Sequence, residues 1–346
     1  MAKKNYGLGY LGSKNLIADW VTSNIPTATN FYDLFAGGCA ITHKMLEEKK
    51  FVNYYANDIS DSVLLFAEAI QGFFRHERRW ISREDFNRLR DSDPYVKYCW
   101  SFGNRGKTYL YSSTIEPYKK ACHYAIVFNE WFLMKDLCPE VWEVAYKAIK
   151  DITDLKQRRL KFAPAIVREL KRLGDWETVI NNPLYKSCHW RGGKLDGKHN
   201  DLQSLQSLER LQSLERLESL ERLESLERLE RLQSLERLER LVVSQGDYRQ
   251  VKIKPNSVIY CDIPYFNTAD YGVSFNHQEF YNWCERQKEI VIVSEYYMPE
   301  DKFICIAEKE KSVTLQSGGK NKSIEKMFIP KHQKQLYYSL MNKRTF

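Results

Sequence analysis

An apolar, β-branched run, Ser257-Val-Ile-Tyr-Cys261, stops on the tetrapeptide Asp262-Ile263-Pro264-Tyr265. A strand that delivers a carboxylate, then backbone carbonyls stiffened by proline, then an aromatic ring suits a planar heterocycle with an exocyclic amine. The carboxylate and a carbonyl accept from the amine, and the ring stacks on the heterocycle's face. A strand running into an Asp-x-Pro turn is also ordinary chain punctuation, so the tetrapeptide takes its meaning from its surroundings. Residues 31–40, Phe-Tyr-Asp-Leu-Phe-Ala-Gly-Gly-Cys-Ala, supply them: a short apolar strand meets Gly37-Gly38 and then an amphipathic helix expected over Ile41 to Glu48. Glycines at that point let the backbone approach a ligand, and a helix N-terminus favours electron-rich groups. A second strand, expected over Val52 to Ala56, ends at Asn57-Asp58, about twenty positions after the glycines, where doubly wound folds hold ribose hydroxyls. The glycine pattern is not Gly-x-Gly-x-x-Gly, which weakens a nicotinamide reading.

Upstream, Tyr10-Leu-Gly-Ser-Lys14 precedes a helix expected from about Asn15. In order along the chain, Tyr-x-Gly-x-Lys, Asp33-Leu-Phe-Ala-Gly-Gly-Cys39, Asn57-Asp-Ile-Ser60 and, much later, Asp262-Ile-Pro-Tyr265 resemble the Dam-type DNA adenine N6-methyltransferases, in particular those of phages and prophages. Ser101-Phe-Gly-Asn-Arg-Gly-Lys107, Val293-Ser-Glu-Tyr296 and Lys322-Ser-Ile-Glu-Lys-Met-Phe-Ile329 extend the resemblance, which covers residues 5–60 and 245–340 well and the middle thinly.

The resemblance implies an α/β fold: a Rossmann-like S-adenosylmethionine-dependent methyltransferase sheet with an inserted, mainly helical target-recognition region. It implies a site-specific enzyme that moves a methyl group from S-adenosylmethionine to N6 of an adenine flipped out of double-stranded DNA, because a stacked base is out of reach. Asp262, Ile263, Pro264 and Tyr265 form the expected catalytic set. Asp262 and the Ile263 carbonyl accept the two N6 hydrogens and localise the nitrogen lone pair, while Tyr265 stacks on the base. Tyr10, Lys14, Phe35, Gly37, Gly38, Asp58 and Asp262 are the expected cofactor residues, with Lys14 able to serve cofactor or phosphate. Arg105 and Lys107, in a Gly-rich loop, are the expected DNA contacts. No metal and no covalent nucleophile is required. The family's usual tetrapeptide is Asp-Pro-Pro-Tyr; here isoleucine keeps the carbonyl, and its place before Pro264 favours the same extended conformation. The expected loss is some rigidity, about 0.4–1 kcal/mol. Two other readings stay open: an N4-cytosine methyltransferase, because that amine is chemically similar, and a catalytically silent DNA-binding protein on the same scaffold. The chain has no Pro-Cys dipeptide, which counts against cytosine C5 chemistry.

The remaining composition agrees. A chain of 346 residues is long enough for one large α/β domain with a smaller one inserted, and its formal charge of +8 with 14% aromatic residues suits phosphate contact and base stacking. No run is apolar enough to span a bilayer and the N-terminus lacks a signal-peptide core, so the expected location is the cytoplasm of a bacterial or phage-infected cell, with a restriction endonuclease as a candidate partner. Eight cysteines occur without a Cys-x-x-Cys pair or a Cys/His cluster, which points away from a zinc site or a disulfide framework.

The expected organisation is residues 1–70 as the first part of the catalytic domain, 71–200 as the target-recognition region, 201–241 as a repeat, and 242–346 as the second catalytic part. Between 71 and 200 aromatic and basic residues alternate, as in Gly72-Phe-Phe-Arg-His-Glu-Arg-Arg-Trp80 and His189-Trp-Arg-Gly-Gly-Lys194. Such stretches can track a phosphate backbone or wedge a duplex, or simply supply a helical core with a solvated face. In the repeat, leucine occupies every third position, and a three-residue step turns a helix by about 300°, so the leucines make no single stripe. Residues 201–241 carry ten acidic residues against seven arginines, a balance of −3 that leaves +11 on the rest of the chain. The repeat is therefore a poor ligand for DNA phosphate; it reads as a tolerated expansion or, functionally, as an adjustable spacer or partner surface.

Overall fold

The structure, a computed structural model, describes residues 6–10, 12–74, 76–174, 179, 181–188, 240–265, 275–312 and 322–342. The repeat up to residue 239 and the segment 189–194 lie outside them. The chain divides into two compact units, one made from Met1–Arg75 and Arg228–Phe346, the other from His76–Glu227.

The first unit is built on a seven-stranded, mostly parallel sheet. Its strands are β1 (Asn30–Asp33), β2 (Asn53–Asp58), β3 (Leu241–Gln245), β4 (Ser257–Asp262), β5 (Ile290–Glu295), β6 (Phe303–Ser312) and β7 (Lys322–Pro330), in the order β3-β2-β1-β4-β5-β7-β6. The five strands from β3 to β5 run parallel; β7 pairs antiparallel with β5 and with β6. Every residue of β1 and β5 is buried, as are five of the six in β4, which is the continuous apolar signature of parallel strands covered on both faces. Tyr32, Ile259, Cys261, Val291 and Val293 pack on one face against Phe280 and Trp283 of the helix His277–Arg286.

The helices that follow β1 and β2 are α2 (Ala40–Glu48) and α3 (Ser62–Ile70); α1 (Ala18–Ser23) precedes β1. The helix expected from about Asn15 begins as a short 3₁₀ segment, Lys14–Ile17, where the Ser13 side chain accepts the Asn15 N–H, and only then becomes α1. β2 also runs further than the apolar pattern suggests. It reaches Asp58 because β3 continues the ladder beside it, with Asn57 opposite Ser244 and Asp58 opposite Gln245.

In the second unit the described residues form helices over Arg83–Leu89, Pro94–Cys99, Glu116–His123, Phe132–Leu137, Trp142–Ile149, Leu155–Leu173 and Pro183–Cys188. Met134, Ala145, Phe162 and Ile166 are at the centre of its core. Several aromatic residues of this region serve packing: Trp100 is fully buried, and Trp80 stacks on Tyr111 at 5.7 Å.

Candidate active site

Three adjacent parallel strands, β2, β1 and β4, each end on an aspartate: Asp58, Asp33 and Asp262. Parallel strands present their C-terminal ends on one edge, and a cavity of about 640 Å³ opens there. It is lined by Tyr10, Lys14, Phe35, Gly37, Gly38, Asp58, Asp262, Ile263, Pro264 and Tyr265, so all ten residues singled out for cofactor and catalysis come together. Arg105 and Lys107 belong to the other unit, both exposed, in a loop closed by the Ser101–Tyr109 bridge; the Lys107 carbonyl accepts from Arg90 at 2.7 Å.

At the glycine end of the cavity the chain itself does the holding. Gly37 sits at φ +49°, and a Cβ there would come within 2.9 Å of the Tyr10 ring; one on Gly38 would come within 2.6 Å of the Tyr10 Cβ. The glycines thus admit the Tyr10 side chain, which then forms one wall. Asp58 Oδ2 accepts the Gly37 N–H at 2.7 Å and Oδ1 the Ser60 N–H at 2.8 Å. Burial pushes the Asp58 carboxyl up from its ordinary range, against the pull of those N–H groups. Ser62 Oγ donates to the Gly37 carbonyl at 2.7 Å, closing the loop from the other side.

Asp33 is 1% exposed, and its Oδ2 accepts from the Thr42 hydroxyl at 2.7 Å. Its Oδ1 is buried with no hydrogen-bond partner among the described residues. Desolvation pushes this carboxyl up to about 7, the Thr42 hydrogen bond only partly opposing it.

At the tetrapeptide end the holding is done by side chains. Lys14 Nζ lies 2.8 Å from Asp262 Oδ1 and 3.1 Å from Glu325 Oε1, and it also donates to the Tyr265 hydroxyl. Burial would lower the Lys14 amine, but Asp262 and Glu325 outweigh it, and the amine stands above its ordinary value. The Tyr265 hydroxyl donates to Glu325, and its ring meets that of Tyr296 edge-on at 4.5 Å. Ile263 is 2% exposed and packs into the core beside Phe280, so the residue that departs from the family pattern fills apolar space. His277 Nε2 donates to the Pro264 carbonyl at 2.9 Å, tying the tetrapeptide to the helix that follows.

Sequence reasoning assigned no role to Asp33, Asp247, Tyr248, Glu279 or Glu325. The first four line the cavity; Tyr248 stands 5.0 Å from the Phe35 ring. A usable signal existed for three of them: Asp33 ends its strand as Asp58 and Asp262 do, and Gly246-Asp247-Tyr248 follows β3 in the same way. Glu325 falls in the Lys322–Ile329 segment that extends the resemblance, but nothing in its local pattern marks a role.

Comparison with known proteins adds two findings. Residues 10–156 match the model of the D12 class N6 adenine-specific DNA methyltransferase family. A stretch of 47 residues is 47% identical to the Type II methyltransferase M.CviAII of Paramecium bursaria Chlorella virus 1; it spans 12% of this chain and 14% of that relative. The family match includes the glycine loop and stops before Asp262.

Proposed function

We propose that this chain, whose residues 10–156 carry the D12 class N6 adenine methyltransferase pattern, transfers a methyl group from S-adenosylmethionine to N6 of a flipped-out adenine in DNA. The observation that carries the reading is one cavity shared by the glycine loop, Asp58 and the whole Asp262-Ile263-Pro264-Tyr265 tetrapeptide. The strand order supports a Rossmann-like sheet: the chain adds β2 and β3 on one side of β1 and β5 on the far side of β4, and doubly wound sheets bind ligands at such a switch point.

The residues fit the cofactor. The cavity volume falls within the roughly 300–1,000 Å³ usual for small-molecule sites. A buried carboxylate with an unanswered oxygen, Asp33, calls for a cation, and S-adenosylmethionine brings an ammonium and a sulfonium. Asp58 would accept from the ribose hydroxyls, and Tyr10, Phe35, Gly37 and Gly38 would enclose the adenosine and methionine parts. When bound, the cofactor supplies an electrophilic methyl group.

The rest of the chemistry belongs to the chain. The adenine amine is a weak nucleophile because its lone pair is delocalised into the ring. Asp262 and the Ile263 carbonyl accept hydrogen bonds from its two N–H groups, return the lone pair to nitrogen and aim it; one of those protons leaves as the methyl group is gained. Pro264 stiffens the backbone next to that carbonyl, and His277 ties the Pro264 carbonyl to the helix that follows. Tyr265 covers the face of the base. The unit His76–Glu227 is the inserted target-recognition region in this reading, and Arg105 and Lys107, exposed in their Gly-rich loop, contact DNA phosphate.

Mapping modified bases in DNA from cells that express the chain tests the proposal. N6-methyladenine at a fixed sequence context is expected. N4-methylcytosine would overturn the choice of base, and unmodified DNA would overturn the enzyme.

A further inference from the structure

We infer that Glu325 is a positioning residue for the Asp262 carboxylate and the Tyr265 ring, acting through the Lys14 ammonium. The inference rests on the proposed methyl transfer to an adenine amine. Glu325 sits in β7, the strand that runs against its neighbours, and is 0% exposed; its Oε2 is buried with no hydrogen-bond partner among the described residues. An ionisable side chain withdrawn from water that far is costly unless paired, and a buried pair is often no more stabilising than apolar residues of the same volume. Stability alone gives little reason for a carboxylate here, among Met327, Phe328 and Ile329 of the same strand.

The arrangement explains it. An ammonium has three N–H donors, and Lys14 meets three acceptors: Asp262, Glu325 and the Tyr265 hydroxyl. Without Glu325 the amine would have Asp262 as its one anionic partner in that set, and Asp262 would be held as its counter-ion. With Glu325 the cation is neutralised from the buried side, and Asp262, 20% exposed, can turn towards an incoming amine without stranding a buried charge. The Tyr265 hydroxyl has one proton and gives it to Glu325 while accepting from Lys14, so the same carboxylate fixes the rotation of the ring that covers the base.

The charged and titratable groups around the amine come from several elements. Asp262 and Tyr265 lie at and after the end of β4, Glu325 lies in β7, Tyr296 follows β5, and Asp33 and Tyr260 interact electrostatically with Asp262. Burial depresses the Lys14 amine while Asp262 and then Glu325 raise it. Removing the Glu325 charge therefore brings the amine down.

Glu325→Gln and Glu325→Asp in the full chain, assayed on a short duplex, test the inference. E325Q is expected to lower kcat at least tenfold, to leave S-adenosylmethionine affinity by calorimetry within threefold, and to move the alkaline limb of the kcat profile to lower pH. E325D, which keeps the charge, is expected to keep that limb near its wild-type position. An E325Q enzyme within twofold of wild type overturns the inference. So does a loss that E325D shares with both limbs unmoved, because that is the mark of packing alone. Should E325Q fail to fold, thermal melts of Lys14→Met with and without E325Q decide: the double variant should melt above K14M, and a lower melt overturns the pairing. Failure of the parent reading looks different, because wild type would then methylate no base.

Discussion

The two ends of the cavity secure their carboxylates by different means. Asp58 is held by backbone N–H groups of Gly37 and Ser60, whereas Asp262 is held by a lysine side chain that Glu325 and Tyr265 share. Backbone donors are fixed by the path of the chain and do not titrate. A lysine does titrate, and its long side chain can follow a moving partner. Recognition of an unchanging group suits the first arrangement; the second suits the proposed reaction, in which an amine would give up a proton while gaining a methyl group.

Asp262→Ala should break the adjustable end most completely. Transfer is expected to fall by about 10²–10³-fold or more, the scale of losing a group that acts at the reacting centre. The fold should survive because Lys14 keeps Glu325 as its counter-ion. Single-turnover kinetics beside a thermal melt check this, and retained transfer by a folded variant removes Asp262 from the mechanism.

Lys14→Met strands Glu325 and should cost about 3–5 kcal/mol of stability, the range for breaking a buried pair from one side. Because the folded Lys14 amine stands above its ordinary value, its stabilisation is complete below the unfolded value of 10.5 and fades as pH rises beyond it. Urea unfolding across pH 9 to 12 should therefore show a steeper alkaline loss of stability in wild type than in the variant.

At the rigid end, Asp58→Ala frees the Gly37 N–H. Cofactor affinity should weaken by about 1–3 kcal/mol, the cost of an orphaned buried partner, while DNA affinity is spared. Equal calorimetric affinity for S-adenosylmethionine in the two proteins would contradict the assignment.

The subtlest change sharpens the comparison at Asp33, which has one oxygen held and one unanswered. Its folded carboxyl is raised to about 7 from 3.8, so its contribution to stability is full below 3.8 and is lost as pH climbs through about 7. Asp33→Asn should remove that decline, melting above wild type at pH 8, and should weaken cofactor binding. In wild type, binding a cation near pH 7 should release a proton, visible as calorimetric heats that depend on the buffer.

Contiguous features were legible before the structure. Gly37-Gly38, the strand that ends at Asp262 and the tetrapeptide each lie within a few residues of chain, and local periodicity exposes them. The apolar pattern of β2 stops at Ala56, and the strand runs on through Asn57 and Asp58 because a ladder with β3, drawn from a distant part of the chain, extends it. The purpose of the glycines was read only in part, since the side chain they admit, Tyr10, lies 27 positions away. Ile263 looked like a lost proline, and only its packing against the core reveals what isoleucine contributes. The role of Glu325, inside the Lys322–Ile329 segment that extends the resemblance, is not legible because a glutamate on an amphipathic strand looks solvated until its partner is known.

The pairing between Lys14 and Tyr265 joins residues 251 positions apart. At about 5–20 residues per second a ribosome needs roughly 10–50 s to make the intervening chain. For most of that time the residues of β1 and β2 have been made and those of the other five strands have not. The proposed site is consequently incomplete for most of the chain's synthesis, and a product truncated before Asp262 would lack the tetrapeptide altogether.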